Sequence, residues 1–319
     1  MEESSKSPYA IECRGLTRKF TNVLAVNSLS LQVKQGELFG FLGPNGAGKT
    51  TTINMLTTLL SPTSGTAKVA GFDLVSQGAL VRSRIGVVPQ TFSLFEELTP
   101  MENLWYIGEL YEMERTVLQQ RSEELLKIVS LFDKKDVPSG TFSGGMKQRL
   151  SVAAGLVHSP QILFMDEPTT GLDPQSRIAL RELTQKLNQT GITVIYTTHD
   201  MEEADKISQR IAIMDKGKLI ALGTSKELKE LQGHSHKIQL ELEGQTPDML
   251  SELKKLVGAI SVVEKGNSIE LRVKRLRPHM VRMLSEFVER KKVEMNDLRI
   301  SEPTLEEVFI SLTKKELRD

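Results

Sequence analysis

The sequence has little cysteine, no excess of either charge and no long apolar run. Cys13 is the only cysteine among 319 residues, which excludes an internal disulfide and fits a reducing cytosol best. Lys plus Arg equals Asp plus Glu at 41 each, so no global field calls for a nucleic-acid partner. The longest uncharged stretches, residues 50–67 and 150–165, are interrupted by prolines, whereas crossing a bilayer takes about 20 mostly apolar residues. Any membrane role is therefore expected to come through a partner.

The length of the chain predicts two domains, because 319 residues exceed the usual size of one hydrophobic core. The first residues lack the apolar core of a signal peptide, and we expect residues 1–9 to form a flexible tail. A polar segment at residues 232–236, Gly233-His234-Ser235-His236 included, is typical of a linker. We therefore expect one domain at residues 10–231 and an accessory or regulatory domain at 237–319.

Short apolar runs dominate the first domain. They occupy residues 38–42, 85–88, 162–165, 192–196 and 211–214, and they are typical of central strands in a mostly parallel sheet covered by helices. Alternation at Leu29, Leu31 and Val33 predicts a further, antiparallel sheet with one wet face. Strand signals vanish between residues 90 and 141, which predicts an inserted helical subdomain at about 91–157. The fold class is therefore α/β.

The second domain has its own periodicity. Its apolar pattern predicts the order strand, helix, strand, strand, helix, strand, which is that of a small α+β ferredoxin-like module. A final helix is expected to carry Leu305, Val308, Phe309 and Leu312 on one face.

A glycine-rich loop follows the first apolar run and fits G-x-x-x-x-G-K-[ST]. Glycines let backbone N–H groups surround phosphate oxygens, and the helix that begins here adds its positive end. Lys49 is expected to reach the β- and γ-phosphates of ATP, and the Thr50 hydroxyl to hold Mg²⁺. The alternative is a plain glycine turn after a strand. The predicted nucleotide contacts of this loop are Gly43, Pro44, Asn45, Gly46, Ala47, Gly48, Lys49, Thr50 and Thr51.

Two carboxylates end the apolar strand at residues 162–165. Asp166 is expected to bind the metal, directly or through water, and Glu167 to act on the attacking water. A strand that ends in two acids is by itself a common structural feature. Its occurrence together with the phosphate loop favours the catalytic interpretation.

The segment after Phe142 predicts a second anion site. Ser143 can cap the following helix, and Gly144 and Gly145 leave its first N–H groups exposed. A helix cap of this kind is common, but this one lies between the phosphate loop and the paired carboxylates. Two phosphate sites on one chain suggest that two copies pair head to tail.

Together these motifs resemble the nucleotide-binding domains of ABC transporters, whose signature is L-S-G-G-Q or a close variant. The resemblance spans about residues 10–231 and implies a P-loop NTPase (RecA-like) core. It implies that Gln90 contacts metal and water, that Asp173 lies in a loop crossing between subunits, that His199 contacts the γ-phosphate and that Phe20 stacks on adenine. Phe142 and Met146 depart from the usual signature letters without removing a phosphate-contacting group.

The resemblance also implies partners. We expect an ATPase with Mg²⁺, paired with a second ATPase subunit, either an identical copy or a paralogue, and bound to a separate transmembrane permease at the cytoplasmic face of the cell membrane. Residues 302–312 resemble the end of daunorubicin-resistance-type exporter ATPases, which favours export of drugs or other amphipathic compounds. The alternatives are a soluble ABC ATPase without a transport role and a regulatory nucleotide switch without turnover. Candidates for the permease groove, or for packing of the helical subdomain, are Phe92, Leu94, Phe95 and Trp105.

Overall fold

The computed structural model describes residues 7–231, 236–243, 247–266, 268–274 and 276–313. The chain divides into two compact units between Thr224 and Ser225. This division is earlier than the expected linker, because the helix at residues 225–230 groups with the second unit. Residues 232–235 of that linker lie outside the described residues, and His236 begins a strand. Residues 1–6 of the expected tail also lie outside them, whereas Tyr9 already pairs with Lys34.

Unit 1, up to Thr224, contains two sheets and a group of helices. Its strands are β1 (Tyr9–Phe20), β2 (Val23–Lys34), β3 (Leu38–Leu42), β4 (Ser64–Val69), β5 (Phe72–Asp73), β6 (Ile85–Val88), β7 (Ile162–Asp166), β8 (Thr193–Thr198), β9 (Arg210–Asp215) and β10 (Lys218–Gly223). Its α-helices are α1 (Lys49–Leu56), α2 (Gly78–Arg82), α3 (Pro100–Leu110), α4 (Arg115–Ile128), α5 (Gly144–Leu156), α6 (Pro174–Gln189) and α7 (Met201–Ile207). Two 3₁₀ turns lie at Phe132–Lys134 and Ser139–Thr141.

The larger sheet determines where functional side chains meet. Its order is β10-β9-β3-β8-β7-β6, in which β10 alone runs antiparallel to its neighbour. Strands β3, β7 and β8 are buried throughout, as expected for parallel strands covered on both faces. Because β3, β8, β7 and β6 are adjacent and parallel, the loops after them leave the same edge of the sheet.

The second sheet and the helical subdomain flank this core. Strands β2-β1-β4-β5 form an antiparallel sheet whose inner face packs with Phe39, Phe41 and Ile53. Helices α3, α4 and α5 pack around Leu104, Leu125 and other apolar residues, separately from the first core cluster. The sequence prediction of an α/β core with an antiparallel sheet and an inserted helical region is confirmed.

Unit 2 has the predicted ferredoxin-like order. Its elements are α8 (Ser225–Glu230), β11 (His236–Glu243), α9 (Pro247–Val257), β12 (Ala259–Lys265), β13 (Ser268–Val273), α10 (Met280–Lys291), β14 (Glu294–Ser301) and α11 (Leu305–Thr313). The sheet order is β12-β13-β11-β14 with every pair antiparallel. Helices α9 and α10 bury Leu253, Leu284 and Phe287 against the sheet. Helix α11 buries Leu305, Val308 and Phe309, whereas Leu312 stays exposed.

Candidate active site

The glycine loop between β3 and α1 is shaped for an anion. Gly46 and Gly48 have φ angles of 77° and 102°, which side chains rarely allow. A Cβ on Gly43 would lie 2.3 Å from the Met214 carbonyl oxygen, and one on Gly48 would lie 2.5 Å from that of Ala25. No side chain in the described part of the chain caps α1. The loop therefore presents the positive end of α1, and the open space beside Gly46 leaves room for phosphate oxygens close to the backbone.

Lys49, the first residue of α1, is buried and directed back across this loop. Its ammonium group donates to the carbonyl oxygens of Gly43 and Pro44 at 2.7 and 3.2 Å. It also lies 2.9 Å from Glu167 Oε1, with 4% and 7% of the two side chains exposed. The cation of the phosphate loop and the predicted catalytic carboxylate are therefore in direct contact.

Glu167 follows β7 with a φ of 44°, which places a non-glycine residue in the left-handed region. Its second carboxylate oxygen lies 3.0 Å from Nδ1 of His199, the residue that follows β8. Burial raises the pKa of the Glu167 carboxyl, but the hydrogen bond and charge of Lys49, together with those of His199, outweigh burial and lower the pKa below its usual value. Glu167 is therefore ionised at neutral pH, as a proton acceptor must be.

Thr197, which the sequence analysis missed, connects the two acids of this edge. Its hydroxyl donates to Asp166 Oδ1 at 2.5 Å and accepts from the backbone N–H of Glu167 at 2.8 Å. Asp166 is 5% exposed at the end of β7. Because β7 and β8 pair in register, Asp166 lies opposite Thr197. No sequence motif predicts this contact, since it depends on which strands are neighbours.

Glu203 was also missed, and it joins the loop after β7 to strand β8. This α7 residue is 8% exposed and accepts hydrogen bonds from Thr169 Oγ1 at 2.8 Å, Tyr196 Oη at 2.8 Å and Thr198 Oγ1 at 3.0 Å. Burial, followed by the charge of Glu203, raises the pKa of Tyr196 well above its usual value, so this phenol remains a donor. The carboxylate thus fixes the loop after Glu167 to the strand before His199.

The remaining predicted residues of the sheet edge are less buried. Thr50 and Asn45 are exposed at the phosphate loop, and Gln90 is exposed two residues after β6. Because Val88 pairs with Met165, Gln90 lies at the edge where Asp166 ends β7. Phe20 ends β1 with 42% of its surface exposed, and the guanidinium carbon of Arg18 lies 4.7 Å from its ring centroid.

Ser143 caps α5 as predicted, accepting a hydrogen bond from the Met146 N–H at 3.3 Å. The first glycines of α5 pack against the segment that contains Asp173. A Cβ on Gly145 would lie 2.3 Å from Ser176 Oγ, and Ser176 Oγ donates to Asp173 at 2.6 Å. Hydrogen bonds from the side chain and the backbone N–H of Ser176 lower the pKa of the Asp173 carboxyl below its usual value. Within one chain, α5 therefore contacts the segment that contains Asp173, and none of the described contacts of its first residues reaches the phosphate loop.

The predicted groove residues divide into two groups. Phe92, Phe95 and Trp105 are 41%, 46% and 38% exposed, whereas Leu94 packs against the core of the helical subdomain. A nearby cleft of about 390 Å³ is lined by residues 85, 87, 89 and 93, by α3 and α5 side chains and by Asp166. Across the residues that the structure describes, no helix combines the length and apolarity needed to span a membrane.

The ABC transporter family profile matches residues 26–170, and that of the ATP-binding protein DrrA1-3-like C-terminal domain matches residues 223–313. The linearmycin resistance ATP-binding protein LnrL of Bacillus subtilis is 37% identical over 311 residues, which cover 97% of this chain and all of LnrL. The chain belongs to the ABC transporter ATP-binding family. This ABC subunit is also 40% identical to the daunorubicin/doxorubicin resistance ATP-binding protein DrrA of Streptomyces peucetius, over 95% of this chain and 92% of DrrA.

Solved structures extend the likeness of the ABC subunit to its fold. An ATP-binding subunit of an ABC transporter matches with a TM-score of 0.64 and 28% identity, over 70% of this chain and 93% of that one. A dimeric ATP-binding cassette in a post-hydrolysis state, bound to ADP and Pi, matches with a TM-score of 0.61 and 27% identity, over 67% of this chain and 98% of that one. The ABC subunit is accordingly a P-loop ATPase.

Proposed function

We propose that this chain hydrolyses ATP as one of two ATPase subunits of an exporter whose membrane-spanning permease is a separate polypeptide. The observation that carries the proposal is the meeting of Lys49, Asp166, Glu167 and His199 at one edge of the parallel sheet. These residues leave three neighbouring strands and form a single polar cluster. The roles that follow are assigned to them on this geometry.

The loop at residues 43–48 fits a nucleoside triphosphate. Gly43 and Gly48 lie where a side chain would collide with Met214 or Ala25, the space beside Gly46 is open, and α1 directs its uncapped end into the loop. Lys49 would exchange its present contacts with Gly43 and Pro44 for phosphate oxygens. That exchange would also release Glu167 from its ion pair with Lys49. We assign Phe20 to the adenine and the first residues of α1, Thr50 and Thr51, to the phosphates.

The same edge fits Mg²⁺. The Thr50 hydroxyl, the Gln90 amide and the Asp166 carboxylate are oxygen donors, which are the ligands that Mg²⁺ prefers. No group of three His, Cys, Asp or Glu side chains among the residues described could hold a metal ion, so the metal would depend on these donors and on the nucleotide. When bound, Mg²⁺ supplies charge neutralisation on the phosphate oxygens.

Glu167 is assigned as the proton acceptor for the attacking water. Its carboxylate is ionised, held by His199 and fixed at the backbone by Thr197. Lys49 supplies positive charge toward the oxygens of the γ-phosphate as negative charge develops there. His199 holds Glu167 from the solvent side, because 48% of the imidazole is exposed.

A second ATPase subunit is needed to complete the site. Ser143 and Gly144 are exposed at the start of α5, and Gly145 packs against Ser176 in the segment that contains Asp173 of the same chain. They are therefore available to the nucleotide of a partner, with Asp173 at the boundary between the two subunits. The dimeric ADP- and Pi-bound relative supports a paired arrangement.

We propose, from the names of the relatives, that the exported compound is a drug or another amphipathic compound. Proteins named for linearmycin and for daunorubicin or doxorubicin resistance match over nearly the whole chain, the second unit included. A permease is proposed to dock at the cleft that Pro89 and Ser93 line, with Phe92, Phe95 and Trp105, which are exposed but do not line the cleft, as further apolar contacts. Through that permease the chain would lie at the cytoplasmic face of the membrane. A soluble ABC ATPase without a transport role is the competing function, and purification together with a multispanning protein would separate the two.

The decisive experiment is Glu167→Gln. Removal of a general base slows hydrolysis by roughly 10²- to 10⁴-fold, while ATP binding is retained. Phosphate release and equilibrium binding of ATP are measured on the same preparations. Glu202→Gln is the matched control, because Glu202 is an exposed carboxylate paired with Lys206. Wild-type turnover in Glu167→Gln would refute the assigned role of Glu167.

A further inference from the structure

All the described residues that line a cavity of about 1230 Å³ belong to unit 2, and this cavity is far larger than the cleft that Pro89 and Ser93 line. It is formed where several elements begin or end: β11 begins, β13 ends, α9 ends, α10 begins, and β14 leads into α11. None of the residues that the ATPase mechanism uses lines it. Its volume is somewhat above the roughly 300–1,000 Å³ of most small-molecule sites, so it has room for a small organic molecule.

The lining is strongly basic. Among the described residues, Lys226, Lys229, Lys255, Lys274 and Arg277 line it together with His236 and His279, against two acids, Glu230 and Glu302. Elsewhere in the unit cations pair with acids: Lys237 lies 3.1 Å from Glu270, and Lys291 contacts Glu252 at 2.5 Å. The side chains of Lys274 and Arg277 have no such partner in the described part of the unit. The cavity is thus a local positive field in a chain without net charge.

The floor of the cavity is apolar. Val257, Val273 and Met280 are buried, and Met283 is half-buried among them. Helix α10 begins at the same place, with no side-chain cap and no acidic residue in its first turn. An anionic group held by the cations would therefore also meet the positive end of a twelve-residue helix.

We infer that this cavity binds a small amphipathic anion, that is, a phosphate or carboxylate head carried on an apolar body. The cations and the start of α10 take the head, and the methionine and valine side chains take the body. An extended acidic peptide fits less well, because the lining comes from the ends of elements and offers no free strand edge for backbone pairing. The inference goes beyond the proposed ATPase function and does not depend on it.

Methionine methyl groups provide reporters for the test. Met280 and Met283 line the cavity, whereas the Met214 methyl carbon lies beside the phosphate loop, 3.6 Å from a Cβ built on Gly48. The full chain is labelled with ¹³C-methyl methionine, resonances are assigned with single Met→Leu variants, and decyl phosphate is added below its micellar concentration. We expect saturable shifts at Met280 and Met283. Any shift at Met214 reports a separate event at the phosphate loop.

Two further ligands isolate the halves of the probe. Decanol lacks the head, and inorganic phosphate lacks the body, so both are expected to bind at least about tenfold more weakly than decyl phosphate at Met280 and Met283. Vesicles of phosphatidylglycerol distinguish a lipid surface from a free amphiphile as the source of the anion. Binding of decanol with the affinity of decyl phosphate would overturn the inference.

Lys254 and Lys255 give a matched pair of variants. They are neighbours in the last turn of α9, both exposed, and only Lys255 lines the cavity. Lys255→Gln and Arg277→Gln are each expected to weaken decyl phosphate binding by about five- to tenfold, whereas Lys254→Gln changes it by less than about twofold. Equal effects of Lys254→Gln and Lys255→Gln, or unmoved Met280 and Met283 methyls at saturating probe, would overturn the proposal.

Discussion

The buried carboxylate of Glu203 is the most informative position to perturb, because it holds three hydroxyl groups and carries no catalytic role. Replacing Glu203 with Gln keeps the shape of the side chain but removes its charge. Hydrogen bonds to a charged group contribute about 1.5–3 kcal/mol each, against about 1 kcal/mol for neutral ones. Each bond therefore loses about 0.5–2 kcal/mol, and over the bonds from Thr169, Tyr196 and Thr198 the free energy of unfolding falls by about 1.5–6 kcal/mol. Glu203→Leu, which leaves all three hydroxyls without this acceptor, costs more, about 4.5–9 kcal/mol.

Urea unfolding followed by tryptophan fluorescence measures this loss in unit 1 alone. Trp105 is the only tryptophan and lies in α3. Glu202→Gln is the control: it makes the same chemical change one residue earlier, where 75% of the side chain is exposed, and is expected to cost under about 0.5 kcal/mol. A double-mutant cycle with Tyr196→Phe should give a coupling energy of about 1 kcal/mol. Equal effects of Glu202→Gln and Glu203→Gln, or a coupling energy of zero, would refute the reasoning.

Three further predictions concern other parts of unit 1. Gly145→Ala places a Cβ 2.3 Å from Ser176 Oγ and is expected to lower the free energy of unfolding, measured in urea, by about 1–3 kcal/mol. The loss should be smaller in a Ser176→Gly background, because the colliding hydroxyl is gone. Equal losses in both backgrounds would contradict this packing contact. The pKa of the Glu167 carboxyl is lower in the folded protein than its usual 4.5. The stability that its ion pair with Lys49 contributes is therefore fully present above pH 4.5 and is lost as the pH falls through the pKa of the folded state. The difference in urea midpoint between wild type and Glu167→Gln should therefore shrink on acidification, and a constant difference would argue against the ion pair. Burial raises the pKa of Cys13 to about 12, so a thiol reagent at about pH 8 should label Cys13 only after denaturation.

Local pattern alone predicted the parts of the chain that depend on neighbours in sequence. The glycine spacing of residues 43–48 predicted a phosphate loop. The structure shows why glycine is needed there: Gly46 and Gly48 have positive φ angles, and a side chain on Gly43 or Gly48 would collide with neighbouring backbone. The apolar runs predicted buried strands, and the restart of alternation after His236 predicted the ferredoxin-like order that the structure has. The cap at Ser143 is a similar local feature, with its donor three residues away.

Domain limits were predicted less well. The polar composition around Gly233 suggested the boundary, whereas packing divides the chain before α8. Composition cannot reveal this, because a short helix joins whichever unit buries its one apolar residue, here Leu228.

Strand order, and therefore the site, came only from the tertiary structure. Thr197 bonds Asp166 and the Glu167 backbone because β8 lies between β3 and β7, a choice that no short motif encodes. Glu203 lies on the polar-looking start of α7, and its burial depends on packing against β8 and the loop after β7. The basic cavity of unit 2 is likewise assembled from the ends of elements far apart in sequence. Sequence determined which groups this chain carries, and the sheet's topology decided which of them touch, because contacts between strands are set by long-range packing.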